Sequence, residues 1–189
     1  MEALSGIFAA FGLSASAGLN AYIPLLVVAL VAKYTDLITL SSPWDVLTSW
    51  WVIGVLFVLL VIEFFVDKAP VANHANDVIQ TFVRPVAGAI VFAGSAQVIT
   101  DIHPILAMIL GILISGTVHV AKTAAVRPAV TLTTGGLANT PVSIAEDIIA
   151  AMISILAIII PVLIGTFAII VTSYIVWRMW RRDDPEEVY

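Results

Sequence analysis

Apolar residues in this chain come in long runs separated by short polar clusters. A helix needs about 20 apolar residues to cross the hydrocarbon core of a membrane. The first run, Ala3 to Ala32, has a small and polar middle, GLSASAGLNAYIP, with Pro24 inside it. It predicts either one helix interrupted near Gly18 to Asn20, or a re-entrant piece followed by a short helix. Lys33 to Ser49 reads as an exposed connection carrying an interfacial Trp44. Trp50 to Val66 is an unbroken span, opened by a Trp pair and closed by Asp67 and Lys68. The polar stretch APVANHANDVIQTFVR follows, its second half suited to a short surface helix. Pro85 to Thr100 and Ile105 to Ala121 are the next spans, joined by DIHP. Gly111 and Ser115 have the small-xxx-small spacing of close-packed membrane helices. The longest run, Ile148 to Trp177, would be about 45 Å as one helix, and Pro161 and Gly165 predict a kink and a tilt.

The stretch TLTTGGLANTPVSIAED, Thr131 to Asp147, interrupts the last two runs. Ser143 and Glu146 fit a capping box, and Asp147 adds a favourable charge to a first turn, so SIAED predicts the start of the final helix. TLTTGGLANTP has no such local account. Gly135, Gly136 and Pro141 break helices, and broken backbone at membrane depth is tolerated only against protein or a water-filled cavity. The pattern as a whole predicts an all-α polytopic membrane bundle of about five to six spans, with broken or re-entrant segments near 14–24 and 131–141.

Cationic residues set an expected orientation. The loops holding Lys68 with Arg84 and Lys122 with Arg127, together with Arg178, Arg181 and Arg182, are expected to be cytoplasmic, as is the N-terminus. Parity then requires a broken crossing over Ala125 to Val142. Residues 1–182 read as one transmembrane domain and 183–189 as a solvated acidic tail. Val83-Arg84-Pro85 and Val126-Arg127-Pro128 hint at a weak internal repeat, about residues 1–100 and 101–182.

Composition agrees with lipid as the main solvent. Of the 189 residues 61% are hydrophobic and only 11% charged, whereas a soluble surface needs roughly 25% charge or more. Mean hydropathy is +1.09. The absence of Cys removes disulfides and thiolate chemistry. A net charge of −5 argues against nucleic acid as a partner. Ala15-Ser16-Ala17 loosely resembles a signal cleavage site, but no Lys or Arg precedes Lys33, so the segment reads as part of the mature chain.

Ionisable groups inside spans are costly and usually functional. Glu63 and Asp67, four apart, stack on one helix face beside Lys68. His119 and Lys122 share a face near the end of their span, where a lone His more commonly packs than ligates. Arg84 and Arg127 each precede a Pro, which disfavours helix at the Arg, so each is expected to mark a helix start and reach inward. Asn20, Thr134 and Asn139 belong to the two broken segments, and Glu146 and Asp147 follow the second. No Gly-x-Ser-x-Gly elbow, His-Glu-x-x-His pair or Gly-Lys-Ser loop occurs. No catalytic residue, metal ligand or cofactor is expected.

GLNAYIPLL, EFFVDKAP running to VRPVAGA, and HVAKTAAVRP running to NTPVSIAED resemble an uncharacterised family of small prokaryotic membrane proteins, domain of unknown function 4126. The resemblance implies a multi-span membrane protein and no activity. Glu63 to Lys68 is also similar to the Glu-x-Gly-Asp-Lys motif of a small cation-exchanger family. Here the spacing is one residue longer, the Gly is absent, and His119-Val-Ala-Lys122 lacks both acids, which argues against a divalent-cation site.

These features lead to the expectation of a small inner-membrane transporter or channel-like protein for an ion or small solute. Its site would involve Asn20, Glu63, Asp67, Lys68, Arg84, His119, Lys122, Arg127, Thr134, Asn139, Glu146 and Asp147. The alternative is an accessory or lipid-binding subunit of a larger membrane complex; a membrane enzyme ranks third. The lipid bilayer is the expected partner, with a homo-oligomer or larger complex as a further expectation.

Overall fold

The computed structural model describes residues 2–40, 42–68, 73–96 and 102–180. The expected tail at 183–189 and the side chains of Lys68, His74, Pro161 and Gly165 lie outside what it describes. Every regular element among the described residues is helical. In order they are α1 (Glu2–Leu19), α2 (Tyr22–Tyr34), a 3₁₀ turn (Trp44–Thr48), α3 (Trp50–Lys68), α4 (Asn73–Ala96) and α5 (Pro104–Ala121). A π-helical turn (Lys122–Val126), α6 (Arg127–Thr134) and α7 (Asn139–Trp180) complete the chain. Among the described residues, four stretches are long and apolar enough to cross a membrane: Trp50–Asp67, Val78–Ser95, Pro104–Thr134 and Asn139–Ile160. The protein is thus an all-α bundle with the helices of a polytopic membrane protein.

The first interruption is a reversal. Gly18 lies beside Arg84, Ser14 donates to the Gly88 carbonyl at 2.8 Å, and Phe11 meets Phe92 edge-on. So α1 runs antiparallel to α4. Leu25 of α2 lies against Val83 to Ile90 of α4, and Leu40, beyond the end of α2, is near Gly94. Hence α2 runs back the way α1 came. At 13 residues α2 is about 20 Å long, too short for the roughly 30 Å core. Together α1 and α2 form a re-entrant hairpin, entering from the face of the loop at 35–49 (the loop face) and turning at Asn20 and Ala21. Of the two forms expected for this segment, the structure takes the second, a folded-back piece followed by a short helix.

Small residues make this packing possible. A Cβ on Gly18 would lie 2.6 Å from Val118 Cβ, one on Gly88 2.8 Å from the Gly111 carbonyl, and one on Gly111 2.7 Å from Ala89 Cα. Helices α1, α4 and α5 touch almost backbone to backbone there. Ser16 bonds the Ala150 carbonyl at 2.7 Å and the Ser154 hydroxyl at 2.8 Å, which satisfies polar groups of α1 against α7.

Arg84 does not begin a helix. It sits inside α4, which continues through Pro85. Proline at that point forfeits one backbone hydrogen bond, yet Ala87, Val91, Phe92 and Ala93 are buried on the same helix, and this packing holds the helix together. No separate surface helix precedes Pro85.

The second interruption is the tight turn at 135–138, on the face opposite the loop face (the turn face). Residues 104–134 run on as one helical stretch. Gly135 (φ +62°) and Gly136 (φ +87°) end it, adopting the left-handed conformation that glycine takes without strain. Thr134 accepts from the Ala138 amide at 3.2 Å and donates to the Val130 carbonyl at 2.7 Å, a capping role. Then α7 starts at Asn139 and takes Pro141 into its first turn, where proline is tolerated. Ser143 and Glu146 therefore lie inside the helix, and the expected capping box is not formed. Nor do residues 125–142 make a crossing of their own. Since α7 runs 42 residues away from the turn face, about 63 Å, Arg178 lies at the opposite end from Arg127. Arg127 and Arg178 are thus set apart by the length of α7.

Candidate functional site

The tip of the re-entrant hairpin carries two problems of unpaired polarity. The last carbonyls of α1 lack helical partners, the first amides of α2 lack acceptors, and both ends are buried. Asn20 solves the second problem by capping. Its Oδ1 accepts from the amides of Tyr22 at 3.0 Å and Ile23 at 3.1 Å, and its Nδ2 donates to Asp147 at 3.0 Å. Two cations solve the first, at the negative end of the α1 dipole. Lys122 donates to the Leu19 carbonyl at 3.2 Å and Arg84 reaches the Gly18 carbonyl at 3.5 Å.

Those cations in turn hold the carboxylates. Arg84 Nη2 lies 3.0 Å from Glu63 Oε1, with both side chains no more than 2% exposed. Lys122 Nζ forms an ion pair with Glu146 Oε2 at 2.7 Å. Arg127 pairs with Asp67, which also accepts from Ser143 and, at 3.5 Å, from Asn76. Arg84 Nη1 is 3.2 Å from His119 Nδ1. A guanidinium can only donate, so Nδ1 accepts and Nε2 carries the ring proton toward Thr81, 3.1 Å away. His119 is thus a neutral strut that orients Arg84.

Glu63 and Asp67 lie one turn apart on α3 and reach different arginines. Lys122 opens the π-helical turn, a distortion that often accompanies functional sites. Three cations face four carboxylates here, leaving one formal negative charge among groups that are nearly all withdrawn from solvent. Within the cluster, Glu63 Oε2, Gln80 Oε1 and Arg84 Nε have no protein hydrogen-bond partner.

A cleft of about 650 Å³ adjoins the cluster at the turn face. Its floor includes Asp67, Arg127 and Glu146; its walls carry Thr131, Asn139 and Thr140 beside Leu132, Leu137 and Val142. So TLTTGGLANTP does line a cavity, although as the end of a helical turn. Thr131 and Asn139 are bonded to each other across it at 3.1 Å.

Of the sequence-predicted residues, Asn20, Glu63, Asp67, Arg84, His119, Lys122, Arg127, Glu146 and Asp147 come together. Asn139 sits on the cleft wall, Thr134 caps the turn, and the Lys68 side chain is outside the described residues. Asn76, Gln80 and Ser143 were not legible as members from residue type. Asn76, Gln80 and Arg84 do recur every four residues, a polar stripe on one face of α4 that could have revealed them. Among the described residues, no group of three or more His, Asp or Glu is arranged to hold a metal ion.

A family described as a domain of unknown function, DUF4126, matches residues 7–182. The chain belongs to this family. The matched DUF4126 region contains every residue of the charged cluster and of the cleft. No curated protein and no solved structure matches the chain.

Proposed function

We propose that this protein is a small transporter or channel-like protein of the inner membrane, moving an ion or small solute through the charged cluster. One observation carries the reading. Buried ion pairs at the tip of a re-entrant hairpin share Asp67, Arg127 and Glu146 with an open cleft. Broken helices that end at membrane depth, with freed carbonyls beside ionisable side chains, are the means by which transporters build sites near the midplane. Purely structural burial of so many charges is costly.

Orientation belongs to the same proposal. The cations at the turn face are mostly consumed by carboxylates inside the bundle. Lys33 lies toward the loop face and Arg178 at the far end of α7, and the sequence adds Arg181 and Arg182 directly afterwards. The positive-inside rule then favours a cytoplasmic loop face with cytoplasmic termini, and a cleft that opens on the other side.

The test is flux in proteoliposomes, with wild type compared with Glu63→Gln and Arg127→Ala. Transport predicts wild-type flux that both substitutions reduce. Absence of flux for protons, alkali cations and small solutes alike would remove this reading. The second reading, an accessory subunit of a larger complex, has in its favour Leu132 and Leu137, 86% and 87% exposed beside the turn. It predicts co-purification with a partner that is lost when both leucines are replaced by Ser.

A further inference from the structure

Each ion pair at the floor of the cleft presents one member and withdraws the other. Arg127 is 16% exposed while its partner Asp67 is 4% exposed. Glu146 is 10% exposed while its partner Lys122 is 2% exposed. Asp67 also lines the cleft but is the most deeply buried of its charged groups, so the cleft offers chiefly one positive and one negative group, Arg127 and Glu146, drawn from different pairs. We infer that it binds a small zwitterion, a molecule or head group carrying an ammonium and an oxyanion. The inference rests on reading the cleft as the entrance to the charged cluster, and it names the ligand class.

Charge conservation selects that class. A bare anion on Arg127 competes with Asp67 and leaves a carboxylate buried without its partner. A bare cation on Glu146 does the same to Lys122. Unpaired buried charge is strongly destabilising. A zwitterion supplies both signs at once, so its binding adds no net charge to the buried cluster. The planar guanidinium of Arg127 suits an oxyanion, which it can meet with two parallel N–H bonds. The Glu146 carboxylate suits an ammonium. Thr131 and Thr140 add neutral hydrogen-bonding groups, and Leu132 and Leu137 give an apolar rim for a short chain. At about 650 Å³ the volume suits a small organic ligand. The same chemistry occurs in a free solute and in a phosphoethanolamine lipid head group.

Binding is measured by calorimetry on the full chain in nanodiscs of phosphatidylglycerol alone, which contain no zwitterion. The probes are phosphoethanolamine, ethylammonium and methyl phosphate. Phosphoethanolamine is expected to bind at least about tenfold more tightly than either half. Glu146→Gln should erase that preference, and Thr131→Trp, at an exposed wall position that leaves the ion pairs in place, should abolish binding. Adding phosphatidylethanolamine to the nanodiscs separates the sources: a lipid ligand blocks the free probe, a soluble one does not, and both results support the inference. It is overturned if phosphoethanolamine binds no better than its halves, or if Thr131→Trp leaves binding unchanged. Ion flux without zwitterion binding would sink this inference and spare the transport reading. Zwitterion binding without any flux would do the reverse.

Discussion

Glu63 and Asp67 stand one helical turn apart on α3, and each holds an arginine from a different element: Arg84 of α4 and Arg127 of α6. One face of one helix thus ties together a core helix and a peripheral one. The inner pair is almost wholly buried, and the outer pair forms the floor of the cleft. The two should respond very differently to substitution.

Glu63→Gln leaves the Arg84 guanidinium buried without a carboxylate. Breaking a buried pair from one side typically costs about 3–5 kcal/mol. A lowered unfolding midpoint in detergent is expected, with most of the loss recovered in Glu63→Gln/Arg84→Gln, since no charge is then stranded. A double variant no better than the single would show that the pair is not coupled.

Arg127→Gln should loosen α6 and leave the bundle intact. Helix α6 has no buried residue, so its Asp67 contact is its main tie to α3. Hydrogen bonds to charged groups contribute about 1.5–3 kcal/mol, so amides of α6 should exchange roughly tenfold to a hundredfold faster. Exchange in α4 and α5 should not change. Uniform acceleration along the chain would contradict this local role.

Asn20→Ala removes the cap of α2, at a cost of about 1 kcal/mol. Asn20→Asp keeps a capping oxygen but sets a carboxylate against Asp147, and is expected to be worse than Ala. Adding Asp147→Asn to Asn20→Asp should restore stability. Thermal melts of the three variants check the order, which reverses if Asn20 acts only as a cap.

Gly111→Ala drives a methyl group into the α4 backbone, and overpacking of this kind costs about 1–3 kcal/mol or more. Gly54→Ala, with no atom within 4 Å of the added carbon, should be neutral or slightly stabilising. Parallel unfolding curves test the contrast.

The chain has no native Cys, so single cysteines report topology directly. Cys at Tyr34 and at Trp177 should label from the same side, and Cys at Leu137 from the other. Labelling of Leu137 and Trp177 positions from one side would refute the observed path of α7.

Much of this was legible in the sequence because it is local. The i, i+4 spacing of Glu63 and Asp67 puts them on one face whatever surrounds them. The Gly, Asn and Pro around residue 20 announce a break. Whether the chain continues or folds back there was not legible, because the groups that receive the freed carbonyls, Arg84 and Lys122, are 66 and 103 residues from Gly18 and Leu19. Ser143 and Glu146 show the opposite failure. Their spacing is that of a helix cap, but the Gly pair lets α7 begin earlier, and their partners Asp67 and Lys122 come from other helices. Local grammar named the residues correctly and assigned two of them the wrong work.

The re-entrant hairpin also sets an order of assembly. Its bonds reach Arg84, Lys122, Asp147 and Ala150, so α1 is made before any of these partners exists. The carbonyls at the tip of the hairpin wait for Arg84 and Lys122, and the Asn20 side chain waits for Asp147 of α7. Among the described helices α3 is the first long and apolar enough to cross a membrane, and α1 with α2 are made before it. Docking of this hairpin therefore follows synthesis of the helices that receive it.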